Sequence, residues 1–212
     1  MKRNHSALIT FEGVDGSGKS TQCRLIYHQL LAEGYTVHLY REPGGTKISE
    51  QIRNILLHPE NTLMSPITEM LLYFASRNQL LHEKIKPALA EDQIVLLDRF
   101  VDRTLAYQGF GRGLDMEAIQ KVREVAIGDL KPDLTVLVDT PLDTAEERLD
   151  KDSLDRLESE HRDFKERTRN GYLELAARDP QHWLVVDGRD DIQNLKHQIW
   201  QRIQKLLTDE TD

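Results

Sequence analysis

Residues 13–20 read Gly13-Val14-Asp15-Gly16-Ser17-Gly18-Lys19-Ser20, a complete G-x-x-x-x-G-K-[ST] string. The apolar run Ala7 to Phe11 precedes it, and a helical apolar spacing follows at Cys23, Leu25, Ile26, Leu30 and Leu31. A strand, a glycine-rich turn and a helix in that order constrain the fold strongly. The turn binds phosphate through its backbone, whose N–H groups converge on oxygens while the helix start adds a positive dipole end. Lys19 is placed to reach the β- and γ-phosphates, and the Ser20 hydroxyl to ligate Mg²⁺. At ordinary residue usage such a string arises by chance on the order of once in a hundred chains this long. A glycine-rich turn without a ligand explains neither Lys19 nor Ser20. Residues 13 through 21, ending on Thr21, are therefore expected to cradle a nucleoside triphosphate.

Short apolar runs recur, each followed by a helical pattern, at residues 7–11, 37–40, 94–98, 134–139 and 183–187. That alternation predicts a parallel sheet with helices on both faces. The near-continuous apolarity of Ile94-Val95-Leu96-Leu97 suits a strand buried on both sides. Ligands of such sheets sit beyond the strand C-termini, and polar residues cluster there at Arg41-Glu42, Asp98-Arg99, Asp139 and Asp187.

The 212 residues fit one domain with a substantial core. Lys+Arg 28 against Asp+Glu 36 gives a net charge of -8, which argues against coating nucleic acid. An acidic chain that binds anions must gather its arginines locally, so their positions are informative. Cys23 is the single cysteine, excluding an internal disulfide and suiting a reducing compartment. No apolar stretch approaches the ~20 residues that span a bilayer, and no signal-peptide pattern opens the chain. A cytoplasmic protein without membrane or nucleic-acid partners is expected. Glu147 to Glu160 is densely charged, with Arg148, Lys151 and Arg156 among six acids. Alone it reads as a solvated helix surface; behind this cradle it becomes a candidate lid over residues 147–160.

The cradle does not choose among ATPases, GTPases, switches and kinases. A guanine-reading Asn-Lys-x-Asp is absent. Remote from the cradle lie Arg41-Glu42-Pro43-Gly44-Gly45-Thr46, Phe74-Ala75-Ser76-Arg77 within a helical stretch from Pro66 to Ala90, Asp98-Arg99-Phe100, and Ala106-Tyr107-Gln108-Gly109. Together with the cradle, in this order and spacing, these strings resemble the thymidylate kinases of bacterial type. The similarity continues through Leu154-Asp155-Arg156-Leu157-Glu158 and the stretch from Arg167 to Ala177, and so covers most of the chain.

The resemblance implies ATP-dependent phosphorylation of dTMP to dTDP, Mg²⁺, a homodimer, and a three-layer P-loop kinase fold with a five-stranded parallel sheet and a short lid. By the same resemblance Arg53, on a helix from Ile48 to Leu57, and Arg99 hold the acceptor phosphate. Asp98 orients Mg²⁺ with Ser20, a place that also suits a helix N-cap. Asp15 takes the sugar 3′-OH and positions an arginine, with Glu42 near the sugar. Tyr73 stands where an aromatic stacks on thymine, and Arg77 donates to the thymine O4. Thr104 and Gln108 complete the base edge, and Tyr107 crowds the sugar 2′ position. Arg148 and Arg156 are the lid's candidates for transition-state contacts. Arg103 departs from the pattern, replacing a small hydroxyl residue; it either faces outward or adds a nucleotide contact. The rivals are a related P-loop kinase of another nucleotide or a deoxynucleoside, and a non-kinase nucleotide-gated module.

Overall fold

The computed structural model describes residues 5–150 and 154–209. Five strands, β1 (Ala7–Glu12), β2 (Val37–Arg41), β3 (Ile94–Asp98), β4 (Leu134–Asp139) and β5 (Trp183–Asp187), form one all-parallel sheet in the order β2-β3-β1-β4-β5. Each lies within one residue of its expected place. The central strand β1 is buried throughout, and Ile9 pairs with Leu96 on one side and Leu134 on the other. Because every strand points the same way, Glu12, Arg41, Asp98, Asp139 and Asp187 all end on one rim.

Helices cover both faces. On one, Cys23, Ile26 and Leu30 of α1 (Lys19–Ala32) and Ile199 and Ile203 of α9 (Ile192–Asp209) pack on Phe11, Val136 and Val138. On the other, Phe74 and Leu80 of α3 (Pro66–Leu80) and Ile119 of α6 (Met116–Ile127) pack on Leu8, Val95 and Leu97. Complete burial of a leucine such as Leu30 contributes about 1.5–3 kcal/mol. A third cluster joins Leu56 of α2 (Lys47–Leu57) and Tyr73 to Tyr107, Phe164 and Tyr172, the last two on α8 (Arg162–Arg178).

The stretch expected as one helix from Pro66 to Ala90 is α3, a π-helical turn at Leu81–Ile85, and α4 (Lys86–Ala90). A second π-helical segment, Leu105–Gly111, follows α5 (Val101–Thr104). Such turns change the angular phase of a helix. Here Ala106, Tyr107, Gln108 and Gly109, four consecutive residues, are all buried.

Candidate active site

The cradle folds as its residue types demand. Gly16 has φ 78°, and a Cβ there would stand 2.1 Å from the Ala145 carbonyl oxygen, so only glycine fits. α2, α3 and α6 each begin with a side-chain cap, from Thr46, Ser65 and Asp115. α1 begins at Gly18 with no side-chain cap. No side chain competes for its first N–H groups; the same is true of α8, so it is the glycine loop ahead of α1 that makes this start suit an anion. Val14 and Ser17 are buried, and the Ser17 hydroxyl has no hydrogen-bond partner among the described residues.

Asp15 is where the cradle meets the rest of the rim. Its carboxylate accepts from Arg99 Nη2 and from the Tyr107 hydroxyl at 3.0 Å, and lies 3.5 Å from Lys19 Nζ. Burial works against its charge, yet Arg99 and then Lys19 hold its carboxyl well below the ordinary carboxylate range. Burial and the neighbouring Arg99 push the Lys19 ammonium down. Arg99 adopts φ 76°, a left-handed backbone unusual for a side chain of this size.

Beside this hub lies a second pocket whose polar groups are sunk in the core. Arg77 is fully buried: Nε donates to Glu42 at 2.6 Å, Nη1 to Thr104 at 3.0 Å, and Nη2 to the Phe100 carbonyl at 2.8 Å. Burial pushes the Glu42 carboxyl up to about 7 while Arg77 opposes it. Arg53 donates to the Pro43 carbonyl at 3.0 Å, next to that pair. Arg103 points inward and is buried between Tyr73 and Tyr107, which excludes the outward-facing arm of the alternative the sequence left open. Asp102, its neighbour, accepts from Thr135 at 3.4 Å; burial, then Glu12, pushes its carboxyl up to about 7.

The two lid arginines part company. Arg148 follows α7 (Leu142–Glu147) and donates to the Gly16, Ser17 and Gly188 carbonyls at 3.5, 3.4 and 3.0 Å, against the cradle. Arg156 instead donates to the Leu56 carbonyl at 2.9 Å and pairs with Glu69. Lys151 lies outside the described residues. Gln108 also donates to Glu69, at 2.7 Å, leaving its own amide oxygen buried and unpaired among the described residues.

Ser20 and Asp98 line one cleft of about 240 Å³ with Tyr40 and Arg41. Phe100, rather than Asp98, is the N-cap of α5, so Asp98 does not serve as that cap. A hydroxyl and a carboxylate suit a hard cation, and Mg²⁺ typically takes one or two protein ligands, completing its shell with substrate phosphates and water.

Sequence reasoning missed two positions. Glu12, fully buried, accepts from the Phe100 N–H and the Tyr172 hydroxyl, both at 2.7 Å. Burial raises its pKa, against the pull of Arg99. Glu69 gathers Gln108, Arg112 and Arg156. An acid ending an apolar strand, and one within the helical apolar set Met70, Tyr73 and Phe74, were the available signals.

An uncapped glycine cradle with its lysine, facing an arginine-lined second pocket at the rim of a parallel sheet, defines a P-loop phosphotransferase. Residues 11–199 match the Thymidylate kinase family profile, and the chain belongs to that family. It is 49% identical over 202 residues to the thymidylate kinase of Desulforudis audaxviator (strain MP104C), covering 95% of this chain and 91% of that one. It is 44% identical over 199 residues to the thymidylate kinase of Thermoanaerobacter sp. (strain X514), covering 94% and 98%. The crystal structure of thymidylate kinase from Ehrlichia chaffeensis matches with a TM-score of 0.77 at 33% identity, over 94% of this chain and 99% of that one.

Proposed function

We propose that the protein transfers the γ-phosphoryl group of ATP to the phosphate of dTMP, yielding ADP and dTDP. The observation that carries this is Asp15: a residue of the triphosphate cradle joins Lys19 to Arg99 and Tyr107 of the second pocket, bringing two anion-binding sides together. A monophosphate has its second pKa near ~6, so the attacking oxygen is already anionic at neutral pH. It attacks the γ-phosphorus as the β–γ bridging P–O bond breaks. The barrier is repulsion: unit charges ~4 Å apart interact by ~4 kcal/mol at an effective dielectric of ~20. Catalysis is then positioning and charge neutralisation.

Gly13 through Thr21 hold the ATP phosphates, with Lys19 on the β/γ oxygens. Arg99 and Arg53 hold the dTMP phosphate. Ser20 and Asp98 would hold Mg²⁺, which supplies further neutralisation of the phosphate oxygens when bound. Thymine stacks on Tyr73. Arg77 has one protein partner on each of Nη1 and Nη2, so each keeps a second N–H, one of them for the thymine O4. Thr104 and Gln108 complete the base edge, Tyr107 excludes a 2′-hydroxyl, and Asp15 and Glu42 face the sugar. Arg148 stabilises the transferred group. Arg156 joins it only if the lid, residues 147–160, releases Glu69. One domain spans the chain, acting in the cytoplasm as a homodimer. Exposed Ile55 on α2, Ile67 and Leu71 on α3 and Val125 on α6 support the last point with an apolar face.

A deoxynucleoside acceptor would need a carboxylate base. Asp15 and Glu42 are both engaged by arginines, which disfavours that role. Acceptor assays with dTMP, dUMP, dCMP and thymidine, under ATP and Mg²⁺, test the reading. dTMP is expected to be preferred; preferential turnover of thymidine, or ATP hydrolysis indifferent to every nucleotide, overturns it.

A further inference from the structure

Arg103 occupies a place that a ligand should want. It follows Arg99 by four residues and is 3% exposed. Its guanidinium carbon lies 3.8 Å from the Tyr73 ring centroid and 4.4 Å from that of Tyr107. Nη2 donates to the Tyr73 hydroxyl at 2.7 Å. Nε and Nη1 are buried and have no hydrogen-bond partner among the described residues. The cation is therefore well stacked and poorly hydrogen-bonded. Buried charged donors without acceptors are costly, so two ring faces, one hydroxyl and the more distant charges of Asp15, Glu12 and Glu42 are what keep the group there. A guanidinium is planar and stacks on aromatic faces, as a pyrimidine does. Its 3.8 Å separation from Tyr73 is an ordinary carbon–carbon contact and leaves no room for a second flat group between them.

We propose that Arg103 is a displaceable occupant of the base slot: its guanidinium fills the space on Tyr73 in the free protein, and an incoming pyrimidine must expel it to stack there. The proposal rests on the reading of Tyr73 as the thymine platform. Expulsion breaks one hydrogen bond and frees the donors Nε and Nη1 for water or for the phosphate-side carboxylates. The two cation–π contacts are what the base must outcompete, so Arg103 sets nucleotide affinity below that of an empty slot.

Thymidine is the clean probe, since it lacks the phosphate whose attraction to a cation would confuse the result. Calorimetric titration of the full chain is expected to show Arg103→Ser binding thymidine about tenfold more tightly than wild type, the scale of a desolvated cation–π contact. Arg103→Lys keeps the charge without the flat stacking group and should also bind more tightly. Unchanged or weaker thymidine binding by both variants overturns the proposal. So does weaker dTMP binding by Arg103→Ser with thymidine unchanged, which would make Arg103 a phosphate ligand. Independently of how the variants fold, the Arg103 Nε–H resonance of the wild type should be ring-current shifted and return toward its ordinary position at thymidine saturation; an unmoved signal refutes expulsion. If the wild type binds neither dTMP nor thymidine, the platform reading falls and takes this proposal with it. If it binds both but the variants gain nothing, only the occupancy of the slot by Arg103 falls.

Discussion

The triphosphate cradle and the second pocket bind the same kind of charge with opposite materials. The cradle uses backbone: glycines at positive φ, a helix start without a side-chain cap, and one lysine. The pocket uses side chains buried in the core, with Arg77, Glu42 and Glu12 all under 5% exposed and tied to partners far along the chain. A backbone site can lose a side chain and keep its shape. In a buried charge network, removing one member strands the others. Function and folding should therefore separate in the cradle and fuse in the pocket.

The largest expected effect is on rate. Lys19→Ala should lower dTDP formation about a thousandfold, the upper range for losing one preorganised charge contact, with the thermal midpoint little changed. Retention of a tenth of the activity would break the contrast. Arg77→Ala should affect folding and function together: about 3 kcal/mol of stability in denaturant titration, because Glu42 is left buried without its partner. It should also lose about 1–3 kcal/mol of preference for dTMP over dCMP, read as the ratio of their kcat/KM values. Full stability in this variant would mean the pocket is less interdependent than its contacts indicate.

Arg148→Ala sharpens the boundary. Arg148 is an exposed cation leaning on cradle carbonyls. We expect kcat to fall roughly tenfold, with the stability change within ~0.5 kcal/mol as for other surface substitutions. A last effect is a pH dependence on the pocket side. Folding raises the Asp102 carboxyl from 3.8 to about 7. Between those values the folded protein keeps a proton that the unfolded chain releases, so stability falls as pH rises through that window. Asp102→Asn should flatten the decline in thermal midpoint between pH 5 and 8; an unaltered slope would show that Asp102 is not its source.

The same contrast decides what was legible in the sequence. The cradle is contiguous and local, and the strands announce themselves by apolar runs, so both could be placed nearly to the residue. Arg77, Arg99, Tyr107 and Asp15 were reached through short strings whose ordered spacing resembles a family. Glu12 was not, because its meaning depends on Tyr172, 160 residues away, and on the Phe100 N–H. The inward turn of Arg103 was equally unreadable, since two rings from different elements decide it. The π-helical segment that buries four successive residues, Ala106 to Gly109, leaves no periodic trace to find.

The backbone of Arg99 carries a last consequence. At φ 76° a glycine would sit with less strain, and an asparagine nearly as well, yet only the arginine reaches Asp15. Replacing Arg99 would relieve the backbone and at the same stroke leave the Asp15 carboxylate without its main partner, so the two effects on stability oppose each other. A single torsion is thus held in place by the ion pair it makes possible.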